Sequence, residues 1–271
     1  MLWANSDKSR IIEFVSPPRV ADLGTGTGNL INLLQKIPDA QVVGFDSNEE
    51  HLLLARKSHP NVKFYKRNLL DASSFKPFYK CFDTAIMSSV LHEIEWPHGN
   101  AKSKKVFQLI KKLLKNNGIF IFRDGVKPET SLEKVEIKFM SDYGWVKFNR
   151  FIQDFKPRKI DAQIVNGVNR KALLSYYDLH DFLCKYYFEG VMWKNDMNQV
   201  FGIRKPSEYK EIFANEFDII SIETYIAPYL QSLWKTDFEI LSGAFPDSHI
   251  MIVAKNSSTS EKDTFCKMKT V

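Results

Sequence analysis

Three glycines at alternate positions, Gly24, Gly26 and Gly28, follow the run Val20-Ala21-Asp22-Leu23. Glycine carries no Cβ, so backbone N–H groups at such a turn can close directly on a ligand. A helical pattern begins at Leu30, and a ligand held there would also meet the positive end of that helix. The chemistry implied is the grip of a nucleotide-like molecule. Further along, polar residues stand at the ends of apolar runs: Asp46, Asn68, Ser88 and the pair Arg123-Asp124, with His92-Glu93 shortly after Ser88. A carboxylate such as Asp46 is acceptor-only and can take two hydroxyl donors at once. An imidazole beside a carboxylate, as His92 beside Asp124 would be, makes a usable general base. A Glu93–Arg123 pair would brace the same corner.

The elements that must position these residues read in order. Leu30, Leu33, Leu34 and Ile37 follow the spacing of a helix packed on a sheet, stopped by Pro38. Gln41 to Phe45 reads as a buried strand ending at Asp46, and Ser47 with Glu50 reads as a capping box opening a helix to about Ser58. Val62 to Tyr65 and Phe82 to Met87 are further strands. Val106 to Leu114 is a helix closed by Asn117-Gly118, and Ile119 to Phe122 is a fifth strand. Strands alternating with helices at this spacing predict a doubly wound, mostly parallel sheet, with ligands at the carboxyl ends of its strands. Residues 1–124 would be the first part of this core. Over 125–205 the alternation gives way to aromatic residues interleaved with lysines and arginines, which predicts a helical, aromatic-rich insert serving as a lid. Residues 206–256 would supply the closing helix and strands, and 257–271 a polar, disordered tail.

The glycine spacing narrows the ligand. A dinucleotide turn wants G-x-G-x-x-G, yet Asn29 stands three after Gly26, and an acid, Asp22, precedes the first glycine by two. Asp22-x-Gly24-x-Gly26-x-Gly28 resembles the first motif of class I S-adenosylmethionine (SAM)-dependent methyltransferases. Ser88-Ser89-Val90-Leu91-His92-Glu93-Ile94, Phe122-Arg123-Asp124-Gly125 and the closing strand around His249 to Ala254 look like pieces of the small-molecule members. The resemblance implies a Rossmann-like fold, SAM as cofactor and a small-molecule acceptor methylated on oxygen or nitrogen. It implies a cofactor site of Asp22, Gly24, Thr25, Gly26, Gly28, Asp46, Ser47, Asn68, Leu69 and Ser88, with Asp46 on the ribose hydroxyls. Asn68 stands where relatives often have an acid that receives the adenine amino group. His92 and Asp124 are the catalytic candidates, with Glu93 and Arg123 as brace.

The 271 residues hold one large α/β domain, or a core with an insert. The net charge of +6 permits an anionic partner without requiring one. An RNA methyltransferase and a catalytically silent, methyltransferase-like binding protein are therefore the alternatives. Cys81, Cys184 and Cys266 lie far apart, which offers no zinc-site spacing and suits a reducing compartment. No apolar run has membrane-spanning length and no signal-peptide pattern precedes the first strand, so the expectation is a cytoplasmic protein binding neither membrane nor metal.

Overall fold

The computed structural model describes residues 4–98, 101–130, 134–165 and 170–257. The chain divides into two compact units, one of residues 1–124, 210–223 and 251–271, the other of residues 125–209 and 224–250.

The first unit begins with α1 (Ala4–Ile12), β1 (Arg19–Leu23), α2 (Ile31–Leu34), β2 (Gln41–Asp46), α3 (Glu49–Ser58) and β3 (Lys63–Lys66). A 3₁₀ segment (Ala72–Phe78) leads to β4 (Phe82–Ser88), α4 (Leu91–His98), α5 (Ala101–Leu113) and β5 (Leu114–Gly125). The second unit continues with β6 (Lys134–Phe139), α6 (Asp142–Asp154), β7 (Ala162–Val165), β8 (Lys171–Ser175), α7 (Tyr176–Lys185) and α8 (Gly190–Asp196). Then follow α9 (Pro206–Ala214), β9 (Asp218–Tyr225), α10 (Pro228–Asp237), β10 (Phe238–Ile240) and β11 (His249–Lys255).

A seven-stranded sheet runs in the order β3-β2-β1-β4-β5-β11-β9. β1 is parallel to both β2 and β4, and the β2–β3 and β4–β5 pairs are parallel as well. The order reverses at β1: the chain first winds out to β3, then crosses back to β4. That switch point opens a crevice beyond the carboxyl ends of β1 and β4. A strand covered on both faces must be apolar almost throughout, and β1 is buried from Val20 to Leu23 with Asp22 its one acid. On β2, the Phe45 ring packs against Tyr65, Phe75, Phe78 and Phe82. Phe107 of α5 joins Phe120 and Phe122 of β5 with Phe213 and Phe217, which ties the closing segment to the sheet.

Three local expectations are corrected. The stripe from Leu30 to Ile37 gives one α-helical turn, and the amides of Lys36 and Ile37 bond back only three residues. The cap of α3 is Asn48, whose side chain accepts from the Glu50 and His51 amides, and not Ser47. Asn117-Gly118 does not close a helix. It lies inside β5, where Asn117 takes φ 63° and the register against β4 slips between Phe82 and Thr84.

The second unit holds a four-stranded sheet in the order β10-β6-β8-β7, with its pairs antiparallel. Residues 125–205, expected to be helical, thus carry three strands as well, and residues 224–250 of the expected closing segment group with this unit. The aromatic residues form its core: Phe139, Phe148, Phe151, Phe182, Trp193, Trp234 and Phe238 are buried together. The polar tail expected over 257–271 lies, past Ser257, outside the described residues.

Candidate cofactor site

A cavity of about 440 Å³ in the first unit is lined by the turn after β1, the end of β2 with the start of α3, the residues after β3, and the turn after β4. It gathers Asp22, Gly24, Thr25, Gly26, Asp46, Ser47, Asn68, Leu69 and Ser88. Gly28 is not among its lining residues, and neither are His92, Arg123 and Asp124.

The glycine turn is built by hydrogen bonds to the neighbouring strand. The amides of Gly24 and Thr25 both donate to the Phe45 carbonyl, at 2.8 and 2.9 Å, and the Gly26 amide donates to Asp46 Oδ2 at 2.7 Å. Gly24 and Gly26 both take positive φ, 75° and 54°. A Cβ on Gly24 would collide with the Val90 methyls, whereas one on Gly26 would find no atom within 4 Å and project into open space. Because α2 is only one turn long, the donors here are the amides of the turn and not the dipole of a long helix.

Asp46 is anchored on both oxygens, Oδ1 receiving the Asn48 amide at 2.9 Å. Each oxygen keeps a further lone pair for an outside donor. Asn68 spends its side-chain oxygen on the Leu70 amide at 2.9 Å, which leaves its NH₂ to donate. Asp71 caps the 3₁₀ segment through Ser73. The Ser88 hydroxyl is buried without a hydrogen-bond partner among the described residues. A buried hydroxyl left unpaired is costly, so this orphan at the cavity wall points to a polar group on a ligand.

Two acids in the cavity are disturbed. Asp22 is 3% exposed, and burial pushes its carboxyl up to about 6, opposed by the Thr25 hydroxyl that donates to it at 2.6 Å and by Lys8. Glu93 is pushed up mainly by burial, with His92 working the other way and Asp124 and Asp46 adding to the rise.

The expected His92–Asp124 pair is present, with Nδ1 2.6 Å from Oδ1. Asp124 is fully buried and does more: its Oδ2 accepts the amides of Leu91 at 2.8 Å and His92 at 3.3 Å, so it caps α4 from the next strand. The expected Glu93–Arg123 brace is not formed. Arg123 turns to Asp7 of α1 and to the Ser89 hydroxyl, while Glu93 lines the cavity. Ser89 is held at φ 60°, its amide on the Arg123 carbonyl at 2.7 Å.

Lys8, His51 and Arg67 also line the cavity, and none of the three was legible as a site residue. Lys8 rides on α1, whose signal is the pair Asp7 and Ile11, four apart and both buried.

Residues 16–167 match a family described as a methyltransferase domain. Over 55 residues the chain is 42% identical to the demethylmenaquinone methyltransferase of Chlorobaculum parvum, covering 20% of this chain and 23% of that protein. Over 59 residues it is 44% identical to the trans-aconitate 2-methyltransferase of Rhodopseudomonas palustris, covering 21% and 23%. The chain thus spans about a quarter of the length of these curated relatives. The crystal structure of an S-adenosylmethionine-dependent methyltransferase from Mesorhizobium loti shares the fold, with TM-score 0.54 at 17% identity over 91% of this chain and 95% of that one.

Proposed function

The chain belongs to the methyltransferase-domain family of class I SAM-dependent enzymes, and on that premise we propose that it moves a methyl group from SAM to an oxygen or nitrogen of a small-molecule acceptor. The observation carrying the reading is the cavity at the switch point, where the open Gly26, the doubly anchored Asp46 and the orphaned Ser88 hydroxyl converge. SAM, when bound, supplies a methyl group made electrophilic by its sulfonium.

In this reading Asp46 accepts the ribose hydroxyls on its remaining lone pairs. Asn68 donates its amide to a ring nitrogen of the adenine, because its oxygen is already held by Leu70. Ser88 gives its free hydroxyl to the methionine end. His92 and Asp124 act together as positioning residues: they fix the start of α4, and with it the cavity-lining Val90 and Glu93. Transfer from a sulfonium relies chiefly on orientation. The relatives named for demethylmenaquinone and trans-aconitate support a small acceptor. Among the described residues no helix is long and apolar enough to cross a membrane.

Titration calorimetry with SAM, S-adenosylhomocysteine and NADH tests the reading. Heat is expected from the first two and none from NADH; binding of NADH without binding of SAM overturns it.

A further inference from the structure

Lys8 shares the cavity with Asp22 but belongs to α1, outside the matched family region. The helix is fastened on either side of it. Asp7 is buried and paired with the buried Arg123, Arg10 reaches Glu223 at 2.8 Å, and Ile11 is fully buried. The Lys8 ammonium forms no ion pair or hydrogen bond with any described residue. Arg67, the other Lys or Arg on the cavity wall, is committed to the carbonyls of Ser74 at 3.0 Å and Lys66 at 2.7 Å. Arg123 is matched by Asp7. Among the described residues, Lys8 is therefore the uncommitted lysine or arginine of the cavity, and Asp22, one oxygen held by Thr25, is the acid beside the glycine turn.

One ammonium and one carboxylate on the same cavity wall suit a zwitterion, and the cofactor's methionine end is one. We propose that Lys8 is a positioning residue that pairs with the α-carboxylate of SAM, while Asp22 receives its α-ammonium. The assignment rests on the SAM reading above. Burial, with Arg123 adding to it, holds the Lys8 ammonium below the ordinary lysine range, and Asp22 and Asp7 oppose this only in part. A desolvated ammonium gains the most from an incoming carboxylate.

The test is calorimetry with SAM and with decarboxylated SAM, which keeps amine and sulfonium but lacks the carboxylate. The wild type should bind SAM at least about tenfold more tightly than the decarboxylated ligand. Lys8→Met should bind both alike, and Lys8→Arg should restore the preference; Lys8→Gln serves as a second neutral variant that keeps the wall polar. Equal affinity of the wild type for the two ligands overturns the proposal whatever the variants do, and so does a folded Lys8→Met or Lys8→Gln protein with the full preference. A wild type that binds neither ligand overturns the SAM reading together with this one. SAM binding without a carboxylate preference removes the Lys8 role alone.

Discussion

Asp22 is the one acid in the buried run Val20–Leu23 of β1, and burial makes its ionised form costly. Its carboxyl is pushed up to about 6 by burial, from an ordinary value of 3.8. The neutral form is thus the one the fold prefers. Its contribution to stability is fully present below the unfolded value and is lost as pH rises through the folded one. Two units correspond to about 3 kcal/mol at 1.36 kcal/mol per unit. Asp22→Asn stays neutral and can still accept from Thr25, so it escapes the loss. Between about pH 3 and about pH 7, the ligand-free wild type should lose about 3 kcal/mol relative to Asp22→Asn in denaturant titrations. A difference that stays flat, or grows in favour of the wild type, would show that the buried carboxylate is compensated by its neighbours. A tight site that stores such a cost in the free protein can recover it when a cation arrives, which is the role proposed for the α-ammonium of the cofactor.

The strand-to-helix turn after β1 separates two glycines that look equivalent in sequence. Both have positive φ, so an alanine at either costs roughly 1–2 kcal/mol of backbone strain. Gly24→Ala adds a collision with Val90, and Gly26→Ala adds none. Gly24→Ala should therefore lower the melting temperature clearly more than Gly26→Ala, while Gly26→Ala, whose methyl enters the cavity, should fold and bind SAM poorly in calorimetry. Equal melting temperatures would sink the packing argument, and unchanged SAM affinity of Gly26→Ala would remove Gly26 from the site. The turn was legible because three glycines and an acid leave few alternatives. Its neighbours were less so. Asp46, Ser47 and Asn48 can all cap a helix, and the choice of Asn48 follows only once Asp46 is drawn back to the Gly26 amide. Asn117-Gly118 has the residues of a helix end, yet positive φ serves a slipped strand register equally well. The sequence offered Glu93 as the partner of Arg123, whereas the placement of α1 brings Asp7 to it instead.

At the scale of the molecule, the seven-stranded sheet was readable from alternation, whereas the second unit was read by its composition and its strands were missed. Lys134-Val135-Glu136-Ile137-Lys138-Phe139 alternates strictly, with Val135, Ile137 and Phe139 buried, a period-2 signal hidden by the density of aromatic residues around it. The same unit decides what the interleaved cations can do. Arg158 bonds Asp178 and Asp181, both at 2.8 Å; Arg170 pairs with Asp142, Lys147 with Glu189, and Lys171 with Glu136 at 3.2 Å. Cations held by carboxylates within their own fold are poor phosphate ligands, because each must give up one partner to gain another. An RNA acceptor would need free cations, and Lys156 and Lys159 flank Arg158 without an ion pair to any described residue. Lys156→Gln with Lys159→Gln therefore tests the RNA reading without disturbing the fold, which replacing Arg158 would do by stranding two buried acids. If the acceptor is small, wild type and variant should both fail to shift RNA in gels at low and at moderate salt. If RNA is the acceptor, the wild type should shift it with an affinity that falls steeply with salt. The variant should then flatten that dependence by about 0.7 in log–log slope for each single-strand phosphate it no longer neutralises. The paired state of most of the unit's cations makes the first outcome the expected one, and a salt-dependent shift abolished by the double substitution would overturn the small-molecule assignment.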